Sequence, residues 1–285
     1  MVDQREPVVR ELTRIGEGRT AEIFAWGEGR ALRLFREGTS REWVRHEMEV
    51  YRSVQRAGLG SPGVHRAESD DGLIEIGGRF GFVMDRIDGS SMLQVLTARP
   101  WRLWRTARGF ARLHLAMHAS TAQGLPSQRE RFHGVLDRIS GTIGSDVADR
   151  IRATIDRLWT ADAVCHGDFH PDNVLMSDRG PVVIDWGPAT SGCRAADVAR
   201  TAYLLRCATP PPGTRWIERL ITALFRRLFL VAYRRVYLRG STVVWSDVIR
   251  WGPVIAALRL GEGIPEERRR LLRVIRKHFG DSTER

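Results

Sequence analysis

Residues 166–187 constrain this chain more than any other stretch. They read His166-Gly-Asp-Phe-His-Pro-Asp-Asn-Val-Leu-Met176 and, after a short gap, Val182-Val-Ile-Asp-Trp-Gly187. Two short apolar runs flank Ser177-Asp-Arg-Gly180, a composition that predicts a β-hairpin. Folding about that turn sets Val174–Met176 against Val182–Ile184 and Asn173 opposite Asp185, at the open end of the ladder. Asp168 lies on a preceding loop that Pro171 keeps from being helical. One carboxylate, one amide and a second carboxylate are thereby expected at one edge. An amide oxygen and a carboxylate are hard ligands, suited to Mg²⁺ carrying nucleotide phosphates rather than to zinc. The other aspartate, Asp168, can accept a proton from an attacking hydroxyl, so the pattern reads as a phosphoryl-transfer site. A metal-hydrolase cluster of His166, Asp168 and His170 is an alternative, but it leaves Asn173 and Asp185 unexplained. A polar loop that merely caps a hairpin gives no reason for three such groups to converge.

The spacing His-x-Asp-x-x-x-x-Asn, with Asp-x-Gly beginning twelve residues after the Asn, matches the catalytic and metal loops of protein kinases. Its wording more closely resembles the aminoglycoside phosphotransferase and choline kinase family. The resemblance covers most of the chain and is densest over 164–199. It implies a two-lobed, kinase-like α+β fold. Residues 1–87 would form a small antiparallel-sheet lobe with one helix, and 88–285 a larger, mainly helical lobe. The implied activity moves the γ-phosphate of ATP (or GTP) to a hydroxyl of a small molecule. Asp168 would be the base, and Asn173 and Asp185 the Mg²⁺ ligands.

Upstream, residues 11–35 read as three strands joined by glycine-containing turns. Gly16 and Gly18 lie between the first two strands, where backbone can approach phosphates closely. In the third strand Arg33 shares a face with Ala31 and Phe35, so its guanidinium needs a partner or a polar cleft. A helix from the capping box Thr39-Ser-Arg-Glu42 to about Gly58 supplies a candidate. Its expected apolar stripe is Trp43, Val50, Tyr51 and Val54, with Glu47 inside it. A buried carboxylate there requires a cation, and Arg33 is the nearest in sequence. Kinase-like folds hold the nucleotide's α- and β-phosphates with such a pair built on a lysine, and Arg33 departs from that residue. Guanidinium geometry is planar and bidentate rather than that of a point charge. By resemblance alone, Met84, Asp85 and Ile87 mark the hinge where backbone groups meet adenine.

Beyond Pro100 the chain is predicted helical, with Trp104, Ala107, Ala111, Leu115 and His118 recurring along one face. His114 and His118 read as packing or hydrogen-bonding groups rather than ligands. The resemblance gives Asp197 a bracing role beneath the catalytic loop. After Pro210-Pro-Pro-Gly213 a helix over Trp216–Arg239 places Leu224, Leu228 and Val231 on its apolar face. By resemblance that face packs inward and the C-terminal helices shape the acceptor pocket.

Charge is uneven. Residues 1–87 carry 14 arginines against 15 acids, residues 88–190 carry 12 against 11, and residues 191–285 carry 19 basic side chains against 8 acidic. The whole excess of +11 therefore lies in the last third. A basic membrane-surface or nucleic-acid binder is thus a rival reading, but interleaved aromatics and a nucleic-acid-binding signature are missing. A catalytically silent nucleotide-binding scaffold is another, suggested by the absent lysine. No apolar signal core or membrane-length run occurs, so a cytoplasmic setting without stable membrane insertion is expected. The 3 cysteines lack zinc-ligand or disulfide-framework spacing.

Overall fold

The computed structural model describes residues 12–67, 69–121, 123–160, 162–207 and 216–280, with only the backbone described for 216–221. The chain forms two compact units. One runs to Val95 and takes in Asp172–Gly187; the other comprises Leu96–Pro171 and the chain from Pro188 onward.

In the first unit β1 (Arg14–Glu17), β2 (Ala21–Ala25), β3 (Arg30–Phe35), β4 (Ile74–Ile76) and β5 (Arg79–Asp85) form an antiparallel sheet ordered β1-β2-β3-β5-β4. Period-2 alternation turns Phe24, Leu32, Leu34, Ile76 and Val83 into one apolar cluster. The opposite face lies under α1 (Arg41–Arg56), whose Tyr51 ring meets Phe82 edge-on at 5.5 Å. Two expectations for this helix need correction. Ser40 rather than Thr39 is the cap, its hydroxyl accepting from the Trp43 amide at 3.2 Å. Trp43 is itself 54% exposed, because the buried stripe starts one residue later, at Val44.

The same unit contains β6 (Ser90–Ser91), the start of α2 (Met92–Ala98), and the hairpin of β8 (Val174–Ser177) and β9 (Gly180–Val183). These strands pair in the order β6-β8-β9, and Ser91 donates to the Asp172 carboxylate at 2.6 Å. The predicted hairpin is present, but its register differs by one residue. Ser177 pairs with Gly180 across a two-residue turn, so Val174 faces Val183 and Asn173 falls opposite Ile184. The loop ahead of it is not wholly irregular either. Pro171–Asn173 forms one 3-10 turn, which proline tolerates at its first position.

The second unit holds α3 (Leu103–Ala119), α4 (Gln128–Ile143), α5 (Ser145–Leu158), β7 (Asp162–Cys165), β10 (Thr190–Cys193), α6 (Arg194–Cys207), α7 (Trp216–Arg239), α8 (Trp245–Leu260) and α9 (Pro265–Phe279). Strands β7 and β10 pair antiparallel, bracketing the segment that carries Asp168. Aromatic packing joins α3 to α7: Phe110 tilts on Phe229 at 5.6 Å and His114 lies 6.0 Å from Tyr233. The buried face of α3 is Leu103, Ala107, Phe110, Ala111, His114, Met117 and His118, and Trp104 is 58% exposed. The apolar face expected for α7 is likewise displaced. Leu224, Leu228 and Val231 are exposed, because the helix packs through Phe229, Leu230, Tyr233 and Tyr237. The proline run at 210–213 lies outside the described residues. No described helix is long and apolar enough to cross a membrane.

Candidate active site

Within the first unit, the pairing inferred between strand and helix is formed. Arg33 Nη2 lies 2.8 Å from Glu47 Oε1 and 3.0 Å from Asp185 Oδ1, so one guanidinium nitrogen bridges two carboxylates. Burial opposes the arginine's charge. Neighbouring Tyr51, Glu47 and Asp185 outweigh that cost and hold its pKa above the ordinary value. Arg33 Nε has no hydrogen-bond partner among the described residues, a desolvated donor of the kind that marks functional ground.

Two local features bring Asp185 to this pair. The amide of Ile184 donates to the Asn173 carbonyl at 3.0 Å, extending the hairpin by one step and leaving Asp185 just past it. Asp185 then turns to φ 60, where it is alone among described non-glycine residues. Gly187 follows, where a Cβ would sit 2.7 Å from the Glu47 carboxyl carbon and so displace the carboxylate that Arg33 holds. The Trp186 amide donates to the Tyr51 hydroxyl at 3.3 Å, tying the segment to α1. Asn173 is 9% exposed and Asp185's side chain 39%, so the carboxylate remains accessible.

Asp168 belongs to the second unit. Its Oδ1 accepts from Arg200 Nη2 at 3.0 Å, and its Oδ2 lies 3.5 Å from His170 Nε2. Burial would raise its pKa; the His170 contact and the charges of Arg200, His170 and His166 prevail, holding it well below the ordinary carboxylate range. Phe169 stacks on Phe110 at 4.1 Å and 5°, which anchors the loop. Gly167 takes φ 78 beside the Pro188 carbonyl, where a Cβ would come within 2.7 Å.

Asp197 holds this loop by its backbone, accepting from the amides of His166 at 2.9 Å and Gly167 at 2.8 Å. His114 Nε2 and His118 Nε2 meet the same carboxylate at 3.0 and 3.3 Å, while their Nδ1 atoms meet the Tyr233 and Tyr237 hydroxyls at 2.7 and 2.6 Å. Burial, and then the charge of His118, push the His114 pKa down to about 4. A neutral ring that donates from Nε2 and accepts at Nδ1 satisfies every contact.

The other expected site residues are placed as follows. Gly16 lies in β1 opposite Ile23, and the Gly18 amide donates to the Ala21 carbonyl at 2.8 Å in the tight β1–β2 turn. Met84 pairs with Ala31 in the sheet, and Ile87 is half-buried. The Asp85 carboxylate accepts from the Gly63 amide at 2.7 Å and faces His65 Nε2 at 2.7 Å; its own amide donates to the Gly63 carbonyl. Sequence reasoning missed Arg200 and Glu262. In the sequence, Arg194-Ala-Ala-Asp-Val-Ala-Arg200 gives no signal that sets Arg200 apart.

A five-stranded antiparallel sheet with an Arg–Glu pair under its helix, and a helical unit carrying a braced His-x-Asp loop, define a protein-kinase-like phosphotransferase fold. The profile of the phosphotransferase enzyme family, APH, matches residues 11–238, and the chain belongs to that family. Among solved structures, an amicoumacin kinase, hAmiN, with AMP-PNP, Ca²⁺ and Ami is similar at 14% identity and TM-score 0.63, over 96% of this chain and 89% of that one. A streptomycin–ATP complex of APH(2")-IIa is similar at 17% identity and TM-score 0.59, over 96% and 92%. The choline kinase LicA from Streptococcus pneumoniae is similar at 14% identity and TM-score 0.56, over 94% and 93%. No curated protein sequence matches the chain.

Proposed function

We propose that this protein transfers the γ-phosphate of ATP or GTP to a hydroxyl of a small molecule. The observation that carries the reading is Asp185, set past the hairpin end in a left-handed conformation and bridged through Arg33 to Glu47. A carboxylate that already draws a cation to 3.0 Å, with an amide side chain at the same hairpin end, is a donor set that fits Mg²⁺. Asp185 and Asn173 would hold the ion, which when bound would neutralise charge on the nucleotide's phosphates. Arg33 would meet the phosphates while Glu47 fixes its orientation, and the Gly16–Gly18 turn would cover them. The Met84–Ile87 segment would receive the base through its backbone.

Asp168 would orient the acceptor hydroxyl and take its proton. His170 and Arg200 keep that carboxylate ionised, and Asp197 fixes the backbone amides just before it. The similar structures, a kinase with AMP-PNP and Ca²⁺ and a phosphotransferase with streptomycin and ATP, support a nucleotide and a small-molecule acceptor. Such a reaction suits the cytoplasm, where ATP is supplied. The grip of Arg33 on Asp185 also sustains one rival, a nucleotide binder without turnover. Labelled ATP and Mg²⁺ offered with a broad panel of hydroxyl compounds decide between them. The expected result is acceptor-dependent label transfer that Asp168→Asn slows by orders of magnitude. Nucleotide-dependent thermal stabilisation without transfer to any compound favours the rival.

A further inference from the structure

The most completely engaged side chain around Asp168 does more than favour its charge. Arg200, on α6, spends all three guanidinium nitrogens on separate acceptors. Nη2 donates to Asp168 Oδ1 at 3.0 Å, Nε donates to the Gly167 carbonyl at 3.2 Å, and Nη1 pairs with Glu262 Oε1 at 2.6 Å. One planar group thus fixes both the carboxylate and the peptide just before it, and its side chain is only 12% exposed.

Its own position is set from the other end. Glu262 stands in the turn between α8 and α9, and Arg259 pairs with Glu262 Oε2. Arg259 also donates to both oxygens of Glu267, at 2.9 and 3.0 Å, and Tyr203 donates to Glu267 at 2.8 Å. Charges alternate along Asp168, Arg200, Glu262, Arg259 and Glu267, so every contact in the chain joins opposite signs.

We propose that Arg200 is a positioning residue for phosphoryl transfer, pinning Oδ1 of Asp168 so that the proton is accepted at Oδ2, with Glu262 locking the arginine in place from the α8–α9 turn. The proposal rests on Asp168 being the base. No charge is created in the step: the hydroxyl proton passes to the carboxylate as the acceptor oxygen bonds to phosphorus, and the nucleoside diphosphate leaves. The groups that face Asp168 are Arg200 from α6 and His166 and His170 from its own loop.

Three variants test this. Arg200→Met should lower kcat roughly 10- to 100-fold, as a misplaced reacting group does, with the KM for ATP unchanged. The acidic limb of its pH–rate profile should move to higher pH. Arg200→Lys should restore the limb, since the charge returns, but only part of kcat, since the fork does not. Glu262→Gln should give a smaller kcat loss in the same direction. In an Asp168→Asn background, Arg200→Met should add nothing further; full additivity overturns the proposal. If Asp168→Asn turns over like wild type, it is the base assignment that fails. A carbon-13 carboxyl titration, with the Asp168 signal identified by its loss in Asp168→Asn, needs no activity. A midpoint that rises in Arg200→Met supports the proposal, and identical midpoints overturn it.

Discussion

Two aspartates in this protein are each gripped by an arginine that also pairs with a glutamate. Asp185 has Arg33 and Glu47; Asp168 has Arg200 and Glu262. The arginines are alike in burial, at 11% and 12% side-chain exposure, but their attachments differ. Arg33 bridges its two carboxylates through one nitrogen, and its Nε has no hydrogen-bond partner among the described residues. Arg200 uses a separate nitrogen for each acceptor and is backed by a further Arg–Glu pair. On the proposed function, the first pairing would exchange partners when nucleotide and metal bind, and the second would stay.

That contrast breaks most easily at the aspartates themselves. Asp168→Asn should lower kcat by about 10²–10⁴-fold, the usual range for a positioned base, and barely alter nucleotide affinity. Asp185→Ala should do the reverse: ATP with Mg²⁺ should no longer protect the variant against melting. At saturating nucleotide the lost protection is about 2.7 kcal/mol for ligand at a hundredfold excess over Kd. Protection equal to wild type would remove Asp185 from the metal site.

The arginine Arg33 sharpens the comparison. Arg33→Ala should raise the KM for ATP and lower kcat. It also removes the guanidinium from Glu47, whose side chain is 7% exposed, and breaking such a buried pair costs about 3–5 kcal/mol of stability. Arg33→Lys should keep much of the stability and some activity, because one ammonium can reach either carboxylate but forms no fork. A melting temperature unchanged in Arg33→Ala, read with unchanged kinetics, would reduce the pair to a surface contact.

Why was one triad legible in the sequence and the other not? Arg33 and Glu47 each break a pattern: a charge at mid-strand, and a carboxylate inside an apolar helical stripe. Each break demands a partner, and few are near. Arg200 breaks nothing visible. Helix α6 is buried nearly all round, at Ala195, Ala196, Asp197, Val198, Ala199, Thr201, Ala202 and Leu205, so it has no periodic face against which an arginine stands out. Its partners Asp168 and Glu262 lie on loops distant in sequence. The same reasoning accounts for the misplaced faces. Trp43, Trp104 and Leu224 look like core from composition, whereas tertiary packing selected Val44, Leu103 and Phe229 beside them. The hairpin register slipped because a four-residue turn composition does not say whether its outer residues pair.

A smaller effect concerns acid. His114 is buried and neutral, with its pKa pushed down to about 4 from an ordinary 6.5. The unfolded chain therefore binds more protons than the fold between those values, so stability falls as pH drops through that window. The loss is on the order of 2–3 kcal/mol for such a shift. The carboxylates of Asp197 and Asp168, both held low, add their losses only at lower pH still. Denaturant unfolding measured from pH 7 to pH 4 should show this decline, and His114→Gln should flatten it. A flat wild-type profile would mean that the histidine is protonated in the fold.

The smallest expected effect bears on the acceptor, and it follows from what the Arg200 chain consumes. A pocket for a polycationic amine needs surplus carboxylates to replace the water stripped from each ammonium. The last third of the chain has 8 acids for 19 basic residues. Asp197 is buried and accepts from two amides and faces two imidazoles; Glu262 and Glu267 are bound to arginines; Asp247 lies 3.5 Å from Arg250. Among the described side chains only Glu266 remains, on the first turn of α9, while Glu218, Asp281 and Glu284 lie outside them. The long-range potential of this region should therefore repel polycations and attract neutral or anionic molecules. An uncharged or acidic hydroxyl compound should accordingly show a higher kcat/KM than a polyamine acceptor. Added salt should narrow the gap, since screening weakens the repulsion. Efficient phosphorylation of a polyamine that weakens as salt rises would place an acidic patch where this reading has none.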